Sequence, residues 1–122
     1  MTDTTEQLVH TYYETLKDGM ASFDAERLRA ILAPDLVFEG PIAGSVVGAE
    51  RFVKGVSGFA ETMRGLTIVH QVRAGDEAAA LYDAEMPGGT VRFAEFFHVA
   101  DARIQTLRLL YDAAEYRARG GR

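Results

Sequence analysis

The chain has 122 residues, the length of one domain, and 48% of them are hydrophobic, enough for a real core. Eighteen acidic against 13 basic residues give a net charge of −5 without any Lys/Arg run, so nucleic acid is not an expected partner. The absence of cysteine excludes disulfides, thiolate metal sites and a cysteine nucleophile, and it fits a cytoplasmic location. The first ten residues, MTDTTEQLVH, are polar and acidic and do not form a signal-peptide pattern. No apolar run is long enough to span a membrane, so no membrane partner is expected.

The first predicted helix covers residues 5–19. Leu8, Val9, Tyr12, Tyr13 and Leu16 recur at a spacing of three and four, and Gly19 is its stop. Asp24 caps a second helix over 25–32, which Pro34 ends. A short strand follows at 36–39, and Gly40, Pro41 and Gly44 make a loop. Residues 49–59 form a third helix that buries Phe52, Val53, Val56 and Phe59. After Gly65 the period changes to two, and strands are expected at 66–74, 77–86, 90–100 and 103–112. The Arg- and Gly-rich tail after Ala113 is expected to fray, with Arg117, Arg119 and Arg122 in solvent. Helices followed by an antiparallel meander make an α+β domain, single over 1–122 with its core at about 5–113. Helices on one face of a strongly curved sheet leave an apolar pocket between the two layers.

Alternation along the strands selects the pocket side chains. Val91, Phe93, Glu95, Phe97 and Val99 share one face of the longest strand. Glu95 is therefore a carboxylate in an apolar row, and it must shift its pKa or find a donor. Two roles are open to it: a structural acid held by a hydrogen bond, or a functional acid in a cleft. Tyr82 faces the same space from the preceding strand, and Leu107, Leu109 and Tyr111 face it from the last one. His70 shares a face with Ile68 and Val72, and would be an acid/base only if its ring reached the cavity. Tyr12 and Tyr13 lie about 100° apart on their helix, so only one is expected to face the cavity centre.

The sequence contains no Gly-rich phosphate loop, no paired metal histidines and no nucleophile elbow. A pocket without metal or cofactor is expected.

The segments FEGPIAGSVVGAERF, LTIVHQVRAG and GGTVRFAEFFHVADARIQTLRLLYD resemble the SnoaL-like and ketosteroid-isomerase-like branch of the nuclear transport factor 2-like superfamily. The resemblance covers roughly residues 7–112. It implies a cone-shaped, curved antiparallel sheet packed on three N-terminal helices, and a homodimer formed through the outer sheet face. Ketosteroid isomerases combine a general-base Asp with an oxyanion hole of Tyr and protonated Asp. By resemblance the helix Tyr matches Tyr13 and the protonated acid matches Glu95. The base position matches Gly40, two supporting tyrosines are replaced by Leu32 and Val56, and the acid of limonene-type epoxide hydrolases falls at Leu109. Neither standard reaction is therefore expected.

Three functions follow as alternatives. The first is a cofactor-free enzyme of isomerase, cyclase or lyase type acting on a hydrophobic small molecule. Its catalytic set would be Glu95, Tyr13 and His70, and its substrate wall Phe38, Gly40, Val56, Phe59, Tyr82, Phe93, Phe97, Leu107, Leu109 and Tyr111. The second is a non-catalytic module that binds small ligands. The third is a structural dimer that covers the apolar outer row of Ala94, Phe96, His98, Arg108 and Leu110.

Overall fold

A computed structural model of the chain describes residues 4–121. Helix α1 (Thr4–Leu16) buries Val9, Tyr12, Tyr13 and Leu16, the stripe that its spacing defines. It ends near Gly19, whose φ is +59°; a Cβ there would overlap the Met63 carbonyl, so only glycine fits. Helix α2 (Ala25–Ala30) starts where the Asp24 side chain accepts a hydrogen bond from the Arg27 N–H at 3.1 Å.

Helix α2 stops two residues before the expected end, and Pro34 is not the reason. Strand β1 (Leu32–Gly40) begins at once, because Leu32 pairs with Ile104. Pro34 lies inside β1, in the register shift between Leu32 and Val37 where a missing N–H costs no ladder bond. The loop expected after Gly40 is a tight hairpin into β2 (Gly44–Val47), a strand too short for alternation to reveal.

Helix α3 (Ala49–Thr62) buries Phe52, Val53, Val56 and Ala60. Strands β3 (Gly65–Ala74), β4 (Glu77–Met86), β5 (Gly89–Ala100) and β6 (Arg103–Leu110) form the expected meander. The sheet is curved and unclosed, with the order β2-β1-β6-β5-β4-β3. It is not wholly antiparallel: β1 runs parallel to β6, because β1 is reached before the meander and docks on its far edge. Helices α1 and α3 cover the inner face, and the core lies between the layers.

The tail is ordered helix where fraying was expected. Helix α4 (Ala113–Ala118) is capped by Asp112, whose side chain accepts from the Glu115 N–H at 3.0 Å. Its Tyr116 is buried against Phe93 and Tyr111, with ring centroids 6.0 and 5.1 Å away. Arg119 is not a solvated end either, since it donates to the Gly88 carbonyl at 3.1 Å. Arg122 lies outside the described residues. Among the described residues no helix is long and apolar enough to cross a membrane.

Candidate functional site

Glu95 sits at the middle of β5, between Ala80 of β4 and Leu109 of β6, and is only 1% exposed. No cation among the described residues pairs with it. Instead Tyr12 donates to its Oε2 at 2.8 Å and Tyr13 to its Oε1 at 2.7 Å. Two neighbouring helix residues thus converge on one carboxylate, against the expectation that only one would point inward. The group lies between their side chains, so the angle between them becomes a clamp with one phenol on each oxygen. The rings meet edge to face at 5.1 Å, and the Phe97 ring packs edge-on against both at 5.3 and 5.9 Å.

Burial raises the Glu95 carboxyl from its usual 4.5 to about 7, while the Tyr13 and Tyr12 hydrogen bonds pull it down. Near neutrality the group therefore populates both protonation states. Burial first, and the Glu95 charge second, push the Tyr12 and Tyr13 hydroxyls well above 10. They are donors, not bases.

Beside Glu95 lies a cavity of about 330 Å³. Its floor is Tyr82, Phe93, Glu95 and Leu109 from the sheet, and Phe38 and Val46 close one side. Helix α3 contributes Phe52, Gly55, Val56, Gly58 and Phe59, and Tyr12, Tyr111 and Tyr116 complete the wall. Ile42, Ala43, Arg51, Lys54 and Glu61 are exposed and line its mouth, so the cavity is an open cleft. Tyr82 stacks on Phe93 with centroids 5.1 Å apart and planes 11° apart. It is 1% exposed and borders the cavity. Burial, then the charge of Glu95, raises its pKa well above 10. Tyr111 is raised by burial, and a backbone hydrogen bond at Ile42 opposes the rise.

The structure therefore brings together Glu95, Phe38, Val56, Phe59, Tyr82, Phe93, Leu109 and Tyr111 of the expected set. Others are not on the cavity wall. Tyr13 holds Glu95 from within the core, and Phe97 and Leu107 are fully buried packing. Gly40 faces the Phe38 ring, which would lie 3.1 Å from a Cβ at that position. A side chain at the base position would thus meet Phe38 first. His70 is exposed on the outer face opposite Leu81, because the register shifts between Ile68 and His70. That bulge adds one residue and reverses the alternation, so His70 leaves the face of Ile68. Glu39 points outward and lies 3.3 Å from Arg108.

Several wall residues were not expected. Tyr116 could have been found from Asp112 and Glu115, an N-cap acid followed three residues later by Glu. Arg51, Lys54, Gly55 and Gly58 follow the helical repeat of α3 and share its cavity side. A possible metal-ligand group, Asp76, Glu77 and His98, has donor atoms within 4.8 Å of one another. It is a surface cluster beside the β3–β4 turn and does not border the cavity.

This architecture recurs in solved structures. An NTF2-like protein of unknown function from Cytophaga hutchinsonii is 20% identical, with a TM-score of 0.78 over 96% of this chain and 97% of that one. A steroid delta-isomerase from Pseudomonas aeruginosa is 16% identical, with a TM-score of 0.81 over 98% and 88%. An LEH-like epoxide hydrolase from M. tuberculosis is 18% identical, with a TM-score of 0.70 over 94% and 87%. At these identities the likeness is one of fold. The sequence matches no curated protein. The family model for the SnoaL-like domain matches residues 9–106, most of the chain and every strand but the end of β6. The protein belongs to the SnoaL-like family, within the NTF2-like fold.

Proposed function

We propose that the protein is a cofactor-free enzyme that moves a proton within a hydrophobic, enolisable small molecule, with Glu95 as its acid/base. One observation carries this reading: a buried carboxyl raised to about 7 borders a cleft that the Tyr82 phenol also lines. Ionised Glu95 takes a proton from the carbon next to a substrate carbonyl and becomes the acid. The electron pair moves onto the carbonyl oxygen, where the Tyr82 hydroxyl donates to the enolate. The carboxylic acid then returns the same proton to another carbon, and the double bond is displaced. One group both removes and returns the proton, so Gly40 at the usual base position is no obstacle. Tyr12 and Tyr13 act as positioning residues, fixing the carboxylate and setting its basicity.

A thermal-shift screen of steroids, polyketides and flat aromatic ketones supplies ligands, which are then assayed for conversion. Turnover should rise with pH through an inflection near 7, as the carboxylate form of Glu95 fills. Glu95→Gln should abolish it, and intact turnover in that variant would refute the assignment.

A second reading has its own support. Both Glu95 oxygens are already held by tyrosines, which suits a non-catalytic binding module. A ligand that binds tightly and is recovered unchanged would favour it.

For assembly we propose a homodimer through the outer sheet face. Phe96, Leu110 and Val72 are 45, 59 and 64% exposed there, an apolar surface unusual for a small monomer. A single monomeric species in sedimentation at low micromolar concentration would refute it.

A further inference from the structure

The mouth of the cleft is polarised along helix α3. Arg51 and Lys54 lie one turn apart towards the N-terminal end, where the helix dipole also favours an anion. Glu61 lies two turns beyond Lys54, roughly 10 Å along the axis. Elsewhere on the surface Lys17, Arg29, Arg92 and Arg108 each hold a carboxylate. Neither Arg51 nor Lys54 has a partner among the described residues, although the chain carries five more acids than bases. Between mouth and floor, Gly55 and Gly58 present no side chain to the cleft. A Cβ built on either meets nothing within 4 Å. Glycine inside a helix costs about 1 kcal/mol against alanine, so two on the cleft side keep a passage open at the expense of stability. At the floor, Tyr82 borders the same space.

We propose that the ligand is an amphipathic organic anion. Its charged group sits at the mouth against Arg51 and Lys54, its ring system crosses Gly55 and Gly58 onto Phe59 and Phe93, and an oxygen at its inner end accepts from Tyr82. This deepens the functional reading above and rests on the same cleft. Glu61 repels the charged group from the other end of the mouth, which fixes the ligand's direction. The anion stays in water at the rim, and the part facing Glu95 is the neutral, enolisable end.

The test uses two fluorescent probes with the same ring skeleton, the anion 8-anilinonaphthalene-1-sulfonate and the neutral N-phenyl-1-naphthylamine. Two exposed cations should give the anion an advantage of about tenfold in Kd at low salt, shrinking as salt screens them. Arg51→Gln combined with Lys54→Gln should bring the two probes within about twofold of each other, a loss of the same order as the advantage itself. Gly55→Leu, whose Cβ would meet nothing within 4 Å and whose longer side chain would occupy the cleft, should weaken both probes at least tenfold. Equal Kd values for the two probes, both lost in Gly55→Leu, would overturn the anion assignment and leave the cleft standing. Binding that ignores Gly55→Leu would overturn the cleft as the ligand site, and the anion assignment with it.

Discussion

The two faces of strand β5 carry similar residues with opposite fates. Phe93 on the inner face is 1% exposed, and Phe96 on the outer face is 45% exposed. Glu95 is buried on the inner face with two phenols, and its carboxyl is raised to about 7. Asp83, across from Arg92 on the outer face, forms a two-pronged ion pair at 2.8 and 3.0 Å. Its carboxyl is lowered, first by the Arg92 hydrogen bonds. The chemistry of a carboxylate does not decide its role here. Burial does: in a dry layer desolvation holds the Glu95 proton nearly balanced at neutral pH although two phenols oppose it, and at the surface the Arg92 hydrogen bonds remove the Asp83 proton.

The sharpest way to break this comparison is with the phenylalanines. Phe93→Ala empties the floor of the cleft and should cost about 3–5 kcal/mol in denaturant unfolding. Phe96→Ala should cost the monomer less than about 1 kcal/mol, as surface changes do, while weakening the proposed dimer in sedimentation. Similar costs for the two would mean that the faces are not distinct.

The next largest effect concerns the clamp. Tyr12→Phe combined with Tyr13→Phe removes both donors to a buried charge and should cost about 3 kcal/mol at pH 8. The cost should shrink at pH 5, where Glu95 is already neutral. A cost independent of pH would show that the tyrosines serve packing alone.

Glu95 itself sets a pH dependence of known sign. Its folded pKa of about 7 lies above the ordinary 4.5, so its contribution is fully present below pH 4.5 and is lost as pH rises through 7. The loss is roughly 3 kcal/mol over that window. Glu95→Gln should remove this slope and be more stable than the parent at pH 8. The outer pair has the reverse sign, since Asp83 with its lowered pKa stabilises above the ordinary carboxylate range and loses this as pH falls. Asp83→Asn should change the unfolding midpoint little at any pH, because exposed pairs contribute little.

Much of this was legible in the residues. The period-two runs of β4 and β5 located both faces, and Glu95 stood out as the one acid in an apolar row. The rest depended on contacts that no local pattern carries. β2 has four residues and pairs only because β1 is beside it. The bulge that turns His70 outward arises from pairing between β3 and β4, and nothing in the LTIVHQV run marks it. Helical geometry correctly separated Tyr12 from Tyr13, yet it could not place a carboxylate between them. The tail was misjudged from its Arg and Gly content, although Asp112 and Glu115 carried the cap signal and Tyr116 the anchor.

The central claim is that Glu95 exchanges its proton near neutrality within the folded protein. Carbon-detected NMR of the side-chain carboxyls in protein labelled at glutamate tests it directly, with the Glu95 signal assigned by its loss in Glu95→Gln. The expected result is a Glu95 carboxyl titrating near pH 7. A Glu95 signal that titrates near 4.5 would contradict the account, because the cleft would then hold a permanently ionised group and no acid/base at working pH.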